Sequence, residues 1–154
     1  MKKIITAGLL SLGLLFAYNP LDGVKAQKAE ALKLVGKNFV TAKTLKKWIK
    51  EGNVKIVDVR EMPEFLAGHI KGAVLIPRGV LYGAVKKGKI KPDDRIVTVC
   101  RTGHRALLAA GTLKKWYKFN NVYVLAGGMK GWIKSGGVVV NAMKLGPVKI
   151  ELQK

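Results

Sequence analysis

Cys100 is the chain's single cysteine and stands in the run Val99-Cys100-Arg101-Thr102-Gly103-His104-Arg105-Ala106. A thiol becomes a nucleophile only as thiolate, and the neighbours here are of the kind that favour that form. Arg101 and Arg105 are cationic and His104 can become so. The apolar, β-branched Ile96-Val97-Thr98-Val99 leads into Cys100 and a helical pattern over Ala106–Trp116 leads out, so the sulfur sits at a strand-to-helix turn. The first turn of a helix carries unpaired N–H groups and partial positive charge, which a wrapping loop can turn toward a sulfur anion. Gly103 supplies the left-handed backbone freedom needed to close such a loop. The competing reading is a small buried apolar residue at a strand end, the usual fate of a lone cysteine; the cationic neighbours favour chemistry.

The elements that must hold this turn follow from periodicity. Phe39-Val40 reads as a brief strand, Thr41 as an N-cap, and Ala42–Lys50 as an amphipathic helix with Leu45, Trp48 and Ile49 inward. Val54–Val59 is a strand ending near Asp58 and Arg60, and Pro63–Ala67 a short helix with proline in its first turn. Gly68–Ala73 reads as a turn into the strand Val74–Ile76, closed by Pro77. Gly79–Lys87 can be helical, Lys86–Pro92 is a basic loop, and Arg95–Val99 is the strand that delivers Cys100. Val122–Leu125 and a short helix around Met129–Lys134 follow, with Val138–Val140 beyond a Ser135-Gly136-Gly137 break. This alternation predicts an α/β domain with a central, mostly parallel five-stranded sheet flanked by helices. Sites in such sheets lie beyond the C-terminal ends of the strands, where Cys100, Asp58 and Arg60 fall.

A chain of 154 residues suffices for one domain. Lys2 and Lys3, the apolar run Ile4–Ala17 and a polar stretch ending Val24-Lys25-Ala26 read as a secretory signal, cleaved after Ala26, with an uncleaved N-terminal anchor as the lesser alternative. The run is too short for a comfortable membrane span, which predicts a periplasmic or secreted protein without a stable span after cleavage. The domains expected are 1–26 signal, 27–36 an N-terminal segment with no assigned element, 37–141 the domain and 142–154 a tail. Twenty-nine Lys and Arg against nine Asp and Glu give a formal charge of +20. Scattered lysines without an arginine-rich arm disfavour nucleic acid, and an exported chain rarely meets it; long-range attraction of small anions fits better. No metal site or cofactor is expected, because Cys100, His69 and His104 offer no ligand spacing.

Four stretches together resemble the rhodanese-like sulfurtransferases. Asp58-Val59-Arg60 with Glu64-Phe65, Gly68-His69-Ile70 and Gly72-Ala73 is similar to their first signature, and Cys100–Ala106 to their active-site loop. Leu125-Ala126-Gly127-Gly128 with Trp132 is similar to their closing motif, and Ile76-Pro77 falls between. The resemblance covers Phe39–Val140 as a single domain; Lys71 stands where the family often has proline. It implies that Cys100 thiolate takes a sulfane sulfur from a small anionic donor, thiosulfate or polysulfide. The sulfur is held as a persulfide and passed to a thiol, cyanide or protein acceptor. Arg101, Thr102, Gly103, His104 and Arg105 would bind the donor, with Arg105 also bracing loop carbonyls. Asp58 and Arg60 would support the loops, and His69 would donate to backbone. Arg60 and Glu64 also admit a plain surface ion pair, and His104 either tunes the loop's charge or is a surface residue. Gly127, Gly128 and Trp132 are assigned to packing.

Two alternatives share parts of this reading. A periplasmic polysulfide or sulfur carrier feeding a partner reductase would keep the persulfide without turnover. A phosphatase or arsenate reductase relative would share the cradle, but cysteine phosphatases place one residue more between nucleophile and arginine than the four separating Cys100 from Arg105, usually with a histidine where Val99 stands.

Overall fold

The structure, a computed structural model, describes residues 19–141. The apolar run Ile4–Ala17 and the tail 142–154 lie outside the described residues. The chain runs α1 (Pro20–Val35), β1 (Phe39–Val40), α2 (Ala42–Lys50), β2 (Lys55–Asp58), α3 (Met62–Ala67), β3 (His69–Ile70) and β4 (Val74–Leu75). A 3-10 turn (Arg78–Val80), α4 (Leu81–Lys86), β5 (Ile96–Val99), α5 (His104–Tyr117), β6 (Val122–Leu125), α6 (Gly128–Lys134) and β7 (Val139–Val140) follow.

Five strands form one sheet in the order β1-β6-β5-β2-β4, every pairing parallel. β5 is central and its four residues are all buried, as a strand covered on both faces must be. One face packs Ile96, Val57 and Val122 against α1, α4 and α5; the other packs Val97, Val99 and Ile56 against α2, α6 and β7. Thr98, buried in the middle of β5, has its hydroxyl 3.1 Å from Ala106 O and 3.0 Å from Tyr123 O, tying the strand to the first turn of α5 and to β6. Asp58 pairs in register with Val99, so the C-terminal end of β2 lies beside the residue before Cys100.

The α/β architecture, the parallel sheet and its five strands agree with the sequence reading, and three local expectations are corrected. The segment 27–36, to which the sequence assigns no element, is the C-terminal part of α1 with Gly36 as its C-cap, and the Asn19 side chain caps the other end by accepting from Leu21 N at 3.0 Å. Leu21–Glu30 are all exposed and burial begins at Ala31, so the boundary expected after Ala26 falls inside the helix but ahead of its buried part. The turn expected over Gly68–Ala73 contains β3, which pairs antiparallel with β7 in a separate two-stranded sheet. Ile49, expected inward, is 37% exposed, while Leu45 is fully buried and Trp48 stands edge-on to Tyr123 with ring centroids 5.0 Å apart.

α1 reaches α5 where α5 has no side chain. A Cβ on Gly111 would lie 2.9 Å from Ala31 Cβ and 3.1 Å from Ala31 Cα, closer than packed side chains approach. Gly111→Leu should therefore lower unfolding stability in urea by about 1–3 kcal/mol through overpacking. Ala31→Gly on that background should return part of the loss; an unchanged denaturation midpoint in Gly111→Leu would show that the two helices do not meet there.

Candidate active site

Cys100 follows the last residue of β5 and is 1% exposed. The chain leaves it through Arg101 and Thr102, turns at Gly103 with φ 110°, and enters α5 at His104. Gly103 takes the conformation that its lack of a Cβ permits, and its N–H donates to Cys100 Sγ at 3.1 Å. Leu107 N then bonds Gly103 O at 2.8 Å, so the residue that donates to the sulfur also starts the helix.

A second helix fixes the other side of the loop. Met129 N donates to Cys100 O at 2.8 Å and Lys130 N to Arg101 O at 3.1 Å, both from the first turn of α6. In a trans peptide C=O and N–H point opposite ways, so these bonds direct the N–H groups of Arg101 and Thr102 away from α6. Gly128, with φ 56°, lets the helix come this close: a Cβ there would collide with Cys100 O and the Arg101 carbonyl group. The sequence reading assigned Gly127 and Gly128 to packing. Gly128 does more, since it admits the contact that orients the loop.

Arg105 extends from the first turn of α5 to Glu64 on α3. Nη1 donates to Oε2 and Nη2 to Oε1, each at 2.7 Å, a bidentate pair in which both partners are about one-third exposed. Glu64 Oε2 also accepts from Glu61 N at 3.2 Å. The bond from Arg105 is the main cause that holds the Glu64 carboxyl below its ordinary 4.5, against burial. Reciprocally, the Glu64 bond pushes the Arg105 guanidinium's pKa further up. Arg105 thus braces the loop against a carboxylate, not against loop carbonyls.

The Arg60–Glu64 ion pair weighed from sequence is absent. Arg60 turns inward to Asp58: its N and Nε lie 3.1 and 2.9 Å from Oδ1, its Nη2 2.6 Å from Oδ2, with both residues buried. Nη2 also donates to Gly68 O at 2.7 Å, so the buried pair anchors the end of α3, the helix that carries Glu64. His69 donates from Nδ1 to Phe65 O at 2.8 Å and stacks on the Phe65 ring at 3.8 Å, the structural role expected for it. Among the described residues the Arg101 side chain has no hydrogen-bonding partner, and Arg101, Thr102 and His104 face solvent at the loop's rim. Glu64 is the site residue to which the sequence reading gave no positioning role; its place four residues after Arg60 on a short helix was the available signal.

Residues 41–135 match the model of the rhodanese-like domain. The chain belongs to the rhodanese-like family. Among curated proteins it is 31% identical over 118 residues to "Probable adenylyltransferase/sulfurtransferase MoeZ" of Mycobacterium tuberculosis, a match covering 76% of this chain and 29% of that protein's length. Among solved structures, the polysulfide-sulfur transferase homodimer of Wolinella succinogenes shares 29% identity, with 78% of this chain and 85% of that one covered and a TM-score of 0.61. A Rhodopseudomonas palustris protein of unknown function, described as a possible tyrosine phosphatase, shares 27% identity, with 91% and 99% covered and a TM-score of 0.66. The rhodanese-like match spans the two elements that hold the loop, α3 and α6, and stops before β7.

Two outcomes follow from the geometry. Asp58→Ala would leave the Arg60 guanidinium buried without its counter-charge and should cost about 3–5 kcal/mol in chemical denaturation; a loss within experimental error would show that the pair is not buried. Folding lowers the Glu64 pKa, so the clamp's contribution is complete above pH 4.5 and disappears as pH falls through the lower folded-state value. Wild type should accordingly lose its stability advantage over Glu64→Gln only on acidification below pH 4.5. Parallel pH–stability curves for the two would remove the charge from the clamp.

Proposed function

We propose that this rhodanese-like chain is a sulfurtransferase that carries sulfane sulfur on Cys100. The observation that carries the reading is the Cys100 sulfur at the floor of a loop whose Gly103 amide already points at it. A thiolate held there attacks the outer sulfur of thiosulfate, the S–S bond breaks and sulfite leaves, giving the Cys100 persulfide anion. A polysulfide donor reacts in the same way, losing a shorter polysulfide. A nucleophilic acceptor, cyanide or a thiolate, then takes the outer sulfur and Cys100 leaves as thiolate, so that atoms and charge balance.

Within this cycle the loop amides stabilise sulfur-borne negative charge and Arg101, exposed and without a hydrogen-bonding partner among the described residues, meets the anionic donor at the rim. Arg105 serves as the brace, because both its terminal nitrogens are already bonded to Glu64. The names of the Mycobacterium and Wolinella relatives support sulfur transfer, and the latter supports polysulfide as a donor. The Rhodopseudomonas description raises phosphate chemistry, but with four residues between Cys100 and Arg105, and Arg105 engaged by Glu64, the loop offers a sulfur atom a closer fit than a tetrahedral phosphate. Export through the N-terminal 26 residues belongs to the same reading; removal of Leu21–Ala26 would take away only exposed residues of α1.

Mass spectrometry after exposure to thiosulfate or polysulfide should show one added sulfur on Cys100, and Cys100→Ser should lose both the adduct and thiocyanate formation from cyanide while keeping its fold. Full loading with slow turnover would mark a carrier instead of a catalyst. Cys100-dependent hydrolysis of an aryl phosphate, with no persulfide formed, would overturn the assignment.

A further inference from the structure

The layer formed by α1, α4 and α5 presents large apolar side chains to solvent on its outer side. Trp116 is 68% exposed, Tyr82 64% and Val80 56%. The cleft between α1 and α5 brings Arg78, Lys115 and Trp116 together, and Arg78 opens the turn that leads to Val80 and Tyr82. Each exposed ring has an ammonium beside it: Lys115 Nζ lies 4.6 Å from the Trp116 ring centre and Lys86 Nζ 6.0 Å from that of Tyr82. Lys87, Lys89, Lys91 and Lys118, all exposed, continue the positive surface.

Little negative charge offsets it. On this layer Glu30 is tied to Lys115 at 2.6 Å and Asp94 to Lys55 at 2.6 Å, leaving Asp93 as the exposed acid without an ion pair among the described residues. A two-fold contact with a second copy would set these cations against one another. Amphipathic rings flanked by lysines fit the headgroup zone of a bilayer, where the ring lies at the interface and the ammonium meets phosphate. No helix among the described residues is long and apolar enough to cross a membrane, so this contact is with the surface.

We propose that the α4–α5 face, through Trp116, Tyr82 and the lysines around them, docks this protein on an anionic lipid surface. Arg105 and Trp116 stand near opposite ends of the 14-residue α5, roughly 16 Å apart along its axis. Trp116 thus lies about three turns of α5 away from the residue that braces the Cys100 loop. The proposal is independent of the sulfur chemistry.

The full chain is mixed with vesicles of phosphatidylglycerol and phosphatidylcholine, and with vesicles of phosphatidylcholine alone. Binding should strongly favour the anionic vesicles and vanish near 1 M salt, where the Debye length is about 3 Å. Tryptophan fluorescence should shift to the blue on binding, and Trp116→Phe should remove most of that shift, since Trp132 is buried and Trp48 is half-buried against Tyr123. Reversal of Lys86, Lys87 and Lys89 to Glu should weaken binding at least about 100-fold, each lysine being worth about five-fold. The same reversal at Lys43, Lys50 and Lys71, exposed on α2 and beside β3 across the sheet, should cost much less. Equal binding to neutral vesicles, equal losses in the two triple variants, a blue shift retained in Trp116→Phe, or a dimer in sedimentation that Trp116→Glu dissolves would each overturn the proposal.

Discussion

The arrangement of the site rests on two hydrogen bonds from α6 to the carbonyls of Cys100 and Arg101. A loop between a buried strand and a buried helix would ordinarily have its carbonyls and amides compete for the same few partners. Here the amides at the start of α6 take the carbonyls on one side, which leaves the amides of the Arg101 and Thr102 peptides directed away from it. The absent side chain of Gly128 is what allows the approach, so a backbone-to-backbone contact, not a side chain, sets the orientation.

From the opposite side the loop is held through a series of charged groups. Asp58, beside Val99 in the sheet, fixes Arg60; Arg60 fixes the carbonyl at the end of α3; α3 presents Glu64; and Glu64 holds Arg105. None of these steps touches the sulfur. Each restrains an element that would otherwise be loose, α3 above all, since it is a six-residue helix with no buried side chain. A short helix of that kind gains its place from ionic and hydrogen-bonded anchors, because it has little apolar surface to bury.

Continuous apolar runs made the sheet legible, since strands covered on both faces read as unbroken stretches of valine and isoleucine, as Ile56-Val57 and Ile96-Val97 do. Cys100 and its loop were legible because residue type and spacing both carry the chemistry. α1 was not, although Asn19-Pro20 and Gly36 mark its ends: its first turns are exposed on every side, Leu21 and Val24 included, and only Ala31 and Val35 become buried, so no apolar stripe announces it. The partners of the charges were not legible either. Arg60 has Asp58 two residues before it and Glu64 four after it, and the strand geometry that turns Arg60 inward, together with the distant arrival of Arg105, decides which pairs form. β3 escaped notice because a two-residue strand has no period to read, and its partner lies some seventy residues away.

That distant partner lies outside the stretch matched to the family, which ends at residue 135, whereas β7 is Val139–Val140. A chain trimmed to the matched boundary would strip His69 and Ile70 of their ladder, remove Val138 from the wall of the groove of about 510 Å³ that Ile70 and Trp132 also line, and uncover the apolar surface that buried Val139 packs on. An open strand edge beside uncovered apolar surface is a template for pairing with other chains. The few residues after α6 thus act as a hem: they finish a raw border, and cutting the cloth at the seam would invite self-association long before it disturbed the sulfur loop.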